Sequence, residues 1–326
     1  MNKPYVFITR KLPEETLKNL YEVAEVSMWP KEEEPVPRER LLEEVKRADG
    51  ILTMLSDKID EELLTNAPNL KVVANFAVGF DNIDVDTATK KGIAICNTPD
   101  VLSDTTADLT FGLLMATARR IVESAQYIQE GKWKNWGPLL MAGTDIHHKT
   151  IGIIGMGRIG QAVAKRATGF EMEILYHNRS RKEAAEKELG ATYCSFEELI
   201  EKSDYIVCLA PLTPETRGLF NEKAFKQMKT SAIFINASRG DVVDEQALYH
   251  ALTNGEIQAA GLDVFQNEPI GADHPLVNLP NVVAIPHIGS ASVETRMVMA
   301  ELASRNITNV LLGKKPEAIV NEMVLT

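Results

Sequence analysis

The sequence predicts an α/β protein built on two doubly wound parallel sheets. Short apolar, β-branched runs recur along the chain, and helical patterns separate most of them, as in strands joined by crossover helices. One long helical stretch, Ser103 to Tyr127, interrupts this alternation. A glycine cluster, Gly155-Met156-Gly157-Arg158-Ile159-Gly160, directly follows one of the strand-like runs.

Before the long helix, the strand-like runs are Tyr5 to Thr9, Val23 to Met28, Gly50 to Leu55, Leu70 to Asn75 and Ile93 to Asn97. Helices are expected at Pro13 to Tyr21, Pro37 to Ala48 and Asp60 to Asn66, so this part makes a small α/β domain of its own. Beyond the helix, strands are expected at Thr150 to Ile154, Glu173 to His177, Tyr205 to Leu209, Ala232 to Asn236, Ala259 to Val264 and Val282 to Ile285. A last helix, Ala291 to Leu312, and the run Ile319-Val320-Asn321 are expected to return to the first domain, making it discontinuous.

At 326 residues the chain is long enough for two domains, and 44% hydrophobic with 25% charged residues is ordinary globular composition. A net charge of −11 disfavours nucleic acid and anionic membranes as partners. No apolar stretch approaches membrane-spanning length, so a soluble cytoplasmic protein is expected. Cys96, Cys194 and Cys208 are widely spaced and read as reduced thiols, with Cys96 and Cys208 packing in apolar strand-like runs. His147-His148 has no partner at ligand spacing, and no metal site is expected.

The glycine cluster has the context a dinucleotide fingerprint requires: a buried strand before it, a helix from Gln161 to Thr168 after it, and a second strand beyond. Gly155 permits the tight turn, Gly157 lets the backbone approach a pyrophosphate, and Gly160 lets helix and strand pack closely. Gly155, Gly157, Arg158, Ile159 and Gly160 are therefore assigned to cofactor binding. Sites for NAD carry a carboxylate at the end of the second strand, on the ribose 2′-hydroxyl. Here the chain reads His177-Asn178-Arg179-Ser180-Arg181-Lys182, with no carboxylate. Arg179 can bind a 2′-phosphate with charge-assisted hydrogen bonds, and Asn178 and Ser180 can donate to it, so NADPH is the expected cofactor, with NADH possible. The alternative is that this run is a solvated start of the next helix.

Three ionisable residues follow predicted strands: Arg239 in Asn236-Ala237-Ser238-Arg239-Gly240, Glu268 in Asn267-Glu268-Pro269, and His287 in Pro286-His287-Ile288-Gly289. In parallel sheets the C-terminal strand ends face the ligand crevice, and loops there can bring such distant residues to one site. Their chemistry suits reduction of a 2-oxo acid. Arg239 binds the carboxylate and polarises the carbonyl, His287 donates the proton, and Glu268 favours the imidazolium.

The chain resembles the D-isomer-specific 2-hydroxyacid dehydrogenase family over nearly its whole length. It is most similar to the glyoxylate/hydroxypyruvate reductase branch, which includes 2-ketogluconate reductases. The resemblance rests on Asn75 to Asp84, the IGIIGMGRIG segment, Asn236 to Gly240, Gly261 to Pro269 and Pro286 to Ser290. It implies two Rossmann-like domains: a substrate domain at 1–102 and 290–326 and a dinucleotide-binding domain at 103–289. It matches Arg239, Glu268 and His287 to the family's substrate arginine, tuning glutamate and acid/base. Val78 and Gly79 match backbone donors to the substrate carboxylate, and Leu55 a pocket wall. Thr106 and Asp263 match cofactor contacts. Gly131 to His148, with Trp133 and Trp136, resembles the family's dimerisation arm and implies a homodimer. The expected activity is NADPH-dependent reduction of glyoxylate, hydroxypyruvate or 2-ketogluconate to a D-2-hydroxy acid. The alternatives are a dinucleotide-sensing, corepressor-like binding protein and an NAD-dependent dehydrogenase of another 2-hydroxy acid.

Overall fold

A computed structural model describes residues 3–325 and divides into two compact units. Unit 1 takes the chain up to Leu102 and from Ala291 on, and unit 2 takes Ser103–Ser290.

The first segment of unit 1 alternates β1 (Tyr5–Ile8), α1 (Lys18–Val23), β2 (Glu25–Met28), α2 (Arg38–Val45), β3 (Gly50–Thr53), α3 (Glu61–Thr65), β4 (Val72–Asn75), α4 (Val85–Lys90) and β5 (Ala94–Cys96). The strands form one parallel sheet in the order β2-β1-β3-β4-β5. Every residue of β1, β3, β4 and β5 is buried, which is why these strands read as unbroken apolar runs. Edge strand β2 has no buried residue: Glu25 is exposed and the other three are half-buried. Asp60 and Asp84 start α3 and α4 by accepting the backbone N–H of Leu63 at 3.1 Å and of Thr87 at 2.9 Å.

Unit 2 opens on α5 (Ser103–Ala118) and α6 (Ile121–Gln129). The single helix expected from Ser103 to Tyr127 is thus two. Arg120 takes a left-handed φ of 52°, and the chain folds back so that Thr144 N–H donates to the Ala118 carbonyl at 2.9 Å. The sheet elements follow: β6 (Thr150–Ile154), α7 (Arg158–Thr168), β7 (Glu173–His177), α8 (Glu183–Leu189), β8 (Thr192–Tyr193), α9 (Phe196–Lys202), β9 (Tyr205–Cys208), α10 (Glu222–Gln227), β10 (Ile233–Asn236), α11 (Glu245–Thr253), β11 (Ala259–Leu262) and β12 (Val282–Ala284). Their order is β12-β11-β10-β9-β6-β7-β8, all parallel, with an apolar cluster on each face. The chain then returns to unit 1 as α12 (Val293–Leu311), whose Ile307 side chain lies against Gly50 of β3. Asn321 holds the tail to β5, accepting Ile95 N–H at 2.8 Å.

Strand register sets the functional rim of each unit. In unit 2, Ile154 is level with His177 and Cys208, Cys208 with Asn236, Asn236 with Leu262, and Leu262 with Ala284. All the candidate residues of this unit except Thr106, on α5, leave the sheet along that one row. In unit 1 the corresponding row is Ile8 with Leu52, Thr53 with Asn75, and Ala74 with Cys96. All three cysteines are buried and free, Cys96 in unit 1 and Cys194 and Cys208 in unit 2.

Candidate active site

The cradle after β6 is shaped by what its glycines leave out. Gly155 has a φ of +101°, and a Cβ there would stand 2.6 Å from the Leu209 carbonyl carbon. A Cβ on Gly160 would stand 2.1 Å from the Gly155 oxygen, so only glycine lets the first turn of α7 close onto the loop. Gly157, the residue before α7, has open space around it and caps with no side chain, and no acidic residue lies in the first turn. The amides at the start of this helix are thus exposed to a ligand, a geometry that fits the phosphates of a dinucleotide. Arg158 is exposed at the mouth of this turn and Ile159 half-buried beneath it. Thr106, on α5, is 6% exposed and lies against Gly289, where an added Cβ would be 3.3 Å from the threonine methyl.

The basic run after β7 separates into residues with different duties. Arg181 is forked onto Glu186, both bonds 2.8 Å, and with Tyr176 it holds that carboxyl down at about 2. Lys182 gives its backbone N–H to the Tyr176 hydroxyl at 2.7 Å. Arg179 is exposed, with no ion pair among the described residues. Its charge, after a hydrogen bond from Thr213, helps lower the Glu215 carboxyl. Asn178 turns the loop by donating to the Ser180 carbonyl at 2.9 Å. Of the three cations, Arg179 is the exposed one that makes no ion pair among the described residues, two residues after His177, whose carbonyl accepts the Gly155 N–H at 2.9 Å.

On the other side of the sheet centre, the loops after β10, β11 and β12 assemble around His287. This residue adopts a φ of 51°, fixed by its N–H on the Asp263 carbonyl at 2.9 Å and by Ile288 N–H on Asp263 Oδ1 at 2.7 Å. Its Nδ1 lies 2.7 Å from Glu268 Oε2, and Glu268 Oε1 accepts the Phe265 N–H at 2.8 Å. Burial pushes the Glu268 carboxyl up, but His287, the Phe265 amide and the nearby charge of Arg239 together bring it below its ordinary value. Asp263, 1% exposed, is driven by burial the other way, to about 6, against the pull of the Ile288 amide and His287. Arg239 is half-buried and donates to its neighbour's carbonyl, Ser238, at 2.8 Å, while Asn236 Nδ2 holds the Arg239 carbonyl at 3.0 Å. Gly240 then presses against the turn that carries Glu268, since a Cβ on it would be 1.9 Å from the Phe265 carbonyl carbon.

Unit 1 carries Leu55, Val78 and Gly79 on its own rim. Leu55 is half-buried in the loop after β3, and Val78 is 36% exposed after β4. Asn75 Nδ2 holds the Gly79 carbonyl at 2.7 Å, and Asn82 Nδ2 holds the carbonyls of Met54 at 3.1 Å and Asp57 at 3.0 Å. The two asparagines also pair with each other at 3.1 Å. Asp57, 4% exposed, accepts from Thr9, Thr53, the Met54 amide and Arg10. The sequence reading names Leu55, Val78 and Gly79 but gives no role to Arg10, Asp57 and Asn82, which fix the two loops. The one local sign is Asp57 four residues after Thr53, within reach of the turn's own amide.

Comparison with known proteins places this geometry in a family. Residues 111–289 match the family model for the NAD-binding domain of D-isomer-specific 2-hydroxyacid dehydrogenases. The glyoxylate reductase of Pyrococcus furiosus is 51% identical, covering 99% of this chain and 97% of its own. That of Aeropyrum pernix is 46% identical over 100% of this chain and 98% of its own. Among solved structures, a Thermus thermophilus protein superposes with a TM-score of 0.90 at 44% identity, covering 97% of this chain and 99% of its own. The NADPH-dependent glyoxylate/hydroxypyruvate reductase of Sinorhizobium meliloti, solved with NADP and malonate, gives a TM-score of 0.85 at 33% identity, covering 99% and 98%. The chain therefore belongs to the D-isomer-specific 2-hydroxyacid dehydrogenase family of oxidoreductases.

Proposed function

We propose that this enzyme reduces glyoxylate, and after it hydroxypyruvate and 2-ketogluconate, to the D-2-hydroxy acid with NADPH. The carrying observation is the 2.7 Å contact of His287 with Glu268, on the same sheet rim as Arg239 and the glycine cradle. The names of the relatives support the substrate class. Unit 2 is proposed as the dinucleotide-binding domain and unit 1 as the substrate domain.

Bound NADPH would supply the hydride to the carbonyl carbon. His287, its Nδ1 held by Glu268, gives a proton from Nε2 to the carbonyl oxygen, so the carbonyl becomes an alcohol with one hydride and one proton added. The Glu268 carboxylate, 2.7 Å from the ring, stabilises the proton-bearing form and fixes the ring's orientation. Arg239 binds the substrate carboxylate and polarises the carbonyl. In unit 1, Val78 and Gly79 are proposed as backbone N–H donors to a substrate carboxylate, and Leu55 as a pocket wall. Gly155, Gly157, Arg158, Ile159 and Gly160 would hold the pyrophosphate. Thr106 and Asp263 would contact the cofactor, Asp263 at its nicotinamide end, and Arg179, with Asn178 and Ser180, would take the 2′-phosphate.

A homodimer is proposed through the arm. Its Trp133, Trp136 and Leu139 are 59, 78 and 82% exposed, beside α6, in which no residue is buried. No helix among the described residues is long and apolar enough to cross a membrane, and the cytoplasm is proposed as the working compartment.

Initial rates with glyoxylate, hydroxypyruvate and 2-ketogluconate, each with NADPH and NADH, test the reading. Strong NADPH preference is expected. Cofactor binding without turnover on any of them would turn the assignment toward a dinucleotide sensor. His287→Asn is expected to lower kcat by about 10²- to 10⁴-fold with NADPH affinity nearly unchanged. Arg179→Ala should weaken NADPH by about tenfold or more and NADH little. Equal losses for both would remove the phosphate role.

A further inference from the structure

Behind the turn that carries Glu268 stands a second carboxylate and imidazole. Glu245, the first residue of α11, accepts the Gln266 backbone N–H on Oε1 at 2.7 Å. Its Oε2 lies 3.3 Å from Nε2 of His274, and both side chains are mostly shielded, 18% and 20% exposed. The His274 ring packs edge-on against Phe265, with centroids 5.4 Å apart. Its Nδ1 is buried with no hydrogen-bond partner among the described residues. A buried N–H without an acceptor is costlier than a bare lone pair, so the ring proton belongs on Nε2, facing Glu245.

The two residues on which this pair closes, Phe265 and Gln266, begin the turn that carries Glu268, and Phe265 bonds it directly. The Phe265 amide is bound by Glu268 Oε1, and the next amide, Gln266, by Glu245 Oε1. Gln266 also donates its side chain to the Val243 carbonyl at 3.0 Å, tying the turn to the residues just before α11. Consecutive amides of one turn are thus held from opposite sides, by the carboxylate that touches His287 and by the one that touches His274. The charged groups facing Glu268 are His287 and Arg239, and Asp263 lies beyond the His287 backbone.

We infer that Glu245 and His274 form a positioning pair that fixes the Phe265–Glu268 turn and, through it, the contact between Glu268 and His287. The inference rests on His287 as the proton donor proposed above, and its physical content is a mechanical link between two histidine–carboxylate pairs. Removing Glu245 frees the Gln266 amide and lets Glu268 drift from Nδ1. Replacing it with glutamine keeps an acceptor oxygen for that amide while discarding the charge.

The test compares Glu245→Ala, Glu245→Gln and His274→Leu with the unaltered protein. The readout is the ¹⁵N shift of His287 Nδ1, assigned with His287→Asn, because that shift reports the bond to Glu268 whether or not any substrate turns over. In Glu245→Ala it should move toward that of a solvent-exposed imidazole. It should move partly in His274→Leu and stay in place in Glu245→Gln. Turnover of glyoxylate at saturating NADPH should fall about tenfold in Glu245→Ala with cofactor affinity unchanged, and recover in Glu245→Gln. An unmoved shift in a folded Glu245→Ala overturns the inference, as does a Glu245→Gln shift displaced as far as that of Glu245→Ala. Absence of glyoxylate turnover in the unaltered protein would count against the proposed activity alone.

Discussion

In each unit the first strand lies between two neighbours reached in opposite directions: β1 between β2 and β3, and β6 between β7 and β9. Topology therefore opens a crevice at the C-terminal end of both strands. After β6 the chain continues as Gly155-Met156-Gly157, and the crevice stays open to a ligand. After β1 it continues as Thr9-Arg10-Lys11, with Thr9 0% and Arg10 7% exposed and the buried Asp57 bound to both. The same kind of switch point thus produces an open cradle in one unit and a filled polar plug in the other. The backbone provides the opening; the side chains at its mouth decide whether it binds a ligand or holds a loop.

Substitutions at the two mouths should separate these roles. Asp57→Ala would leave Arg10 buried beside an empty site and remove the acceptor of Thr9, Thr53 and the Met54 amide. A loss of about 3–5 kcal/mol is expected, read by urea unfolding. Dinucleotide affinity of any remaining folded protein should be unchanged, and a parallel loss of cofactor binding would contradict the division of labour. Gly155→Ala should cost about 2–4 kcal/mol, from the positive φ and the collision with Leu209. Here cofactor affinity should fall as well, by tenfold or more in a titration of intrinsic fluorescence.

The smallest effect concerns Asp263, just past the end of β11. Its carboxyl is raised to about 6, above the ordinary aspartate value of about 3.9, so the folded chain holds that proton more tightly than the unfolded chain. Its contribution to stability is accordingly full below about pH 4 and is lost as pH rises through about 6. Asp263→Asn removes this dependence. Relative to the unaltered protein, the variant should gain on the order of 2 kcal/mol between pH 4 and pH 7.5, measured by urea midpoints. A difference independent of pH would show that burial does not hold this proton.

The parallel sheets were the most legible part of the fold, because strands buried on both faces carry continuous apolar runs. β8, Thr192–Tyr193, has no such run and both its residues are exposed, so the sequence offers nothing to read. α4 escaped because its six residues bury only Ala88, and its one strong signal is the Asp84 cap. The break between α5 and α6 has a tertiary cause: Gly143 presses on the Ala118 carbonyl, where an added Cβ would stand 2.2 Å away, and arginine is no usual left-handed residue. Arg239, Glu268 and His287 could be picked out because each follows a strand in a distinctive local motif. Glu245 and His274 could not, since their link to the Gln266 turn exists only once α11 and the loop after β11 are folded together.

The three buried cysteines turn the chain into its own pair of stopwatches. All three thiols are buried, and burial pushes that of Cys96 up to about 12 and that of Cys208 to about 11 and raises Cys194 as well, so the folded state disfavours thiolate and shields the sulfur from a reagent. Alkylation can proceed only through opening, and it marks the unit that opened: Cys96 times the smaller sheet, Cys194 and Cys208 the larger. Peptide mapping of one alkylation time course would then read the opening rates of both halves, with no residue changed.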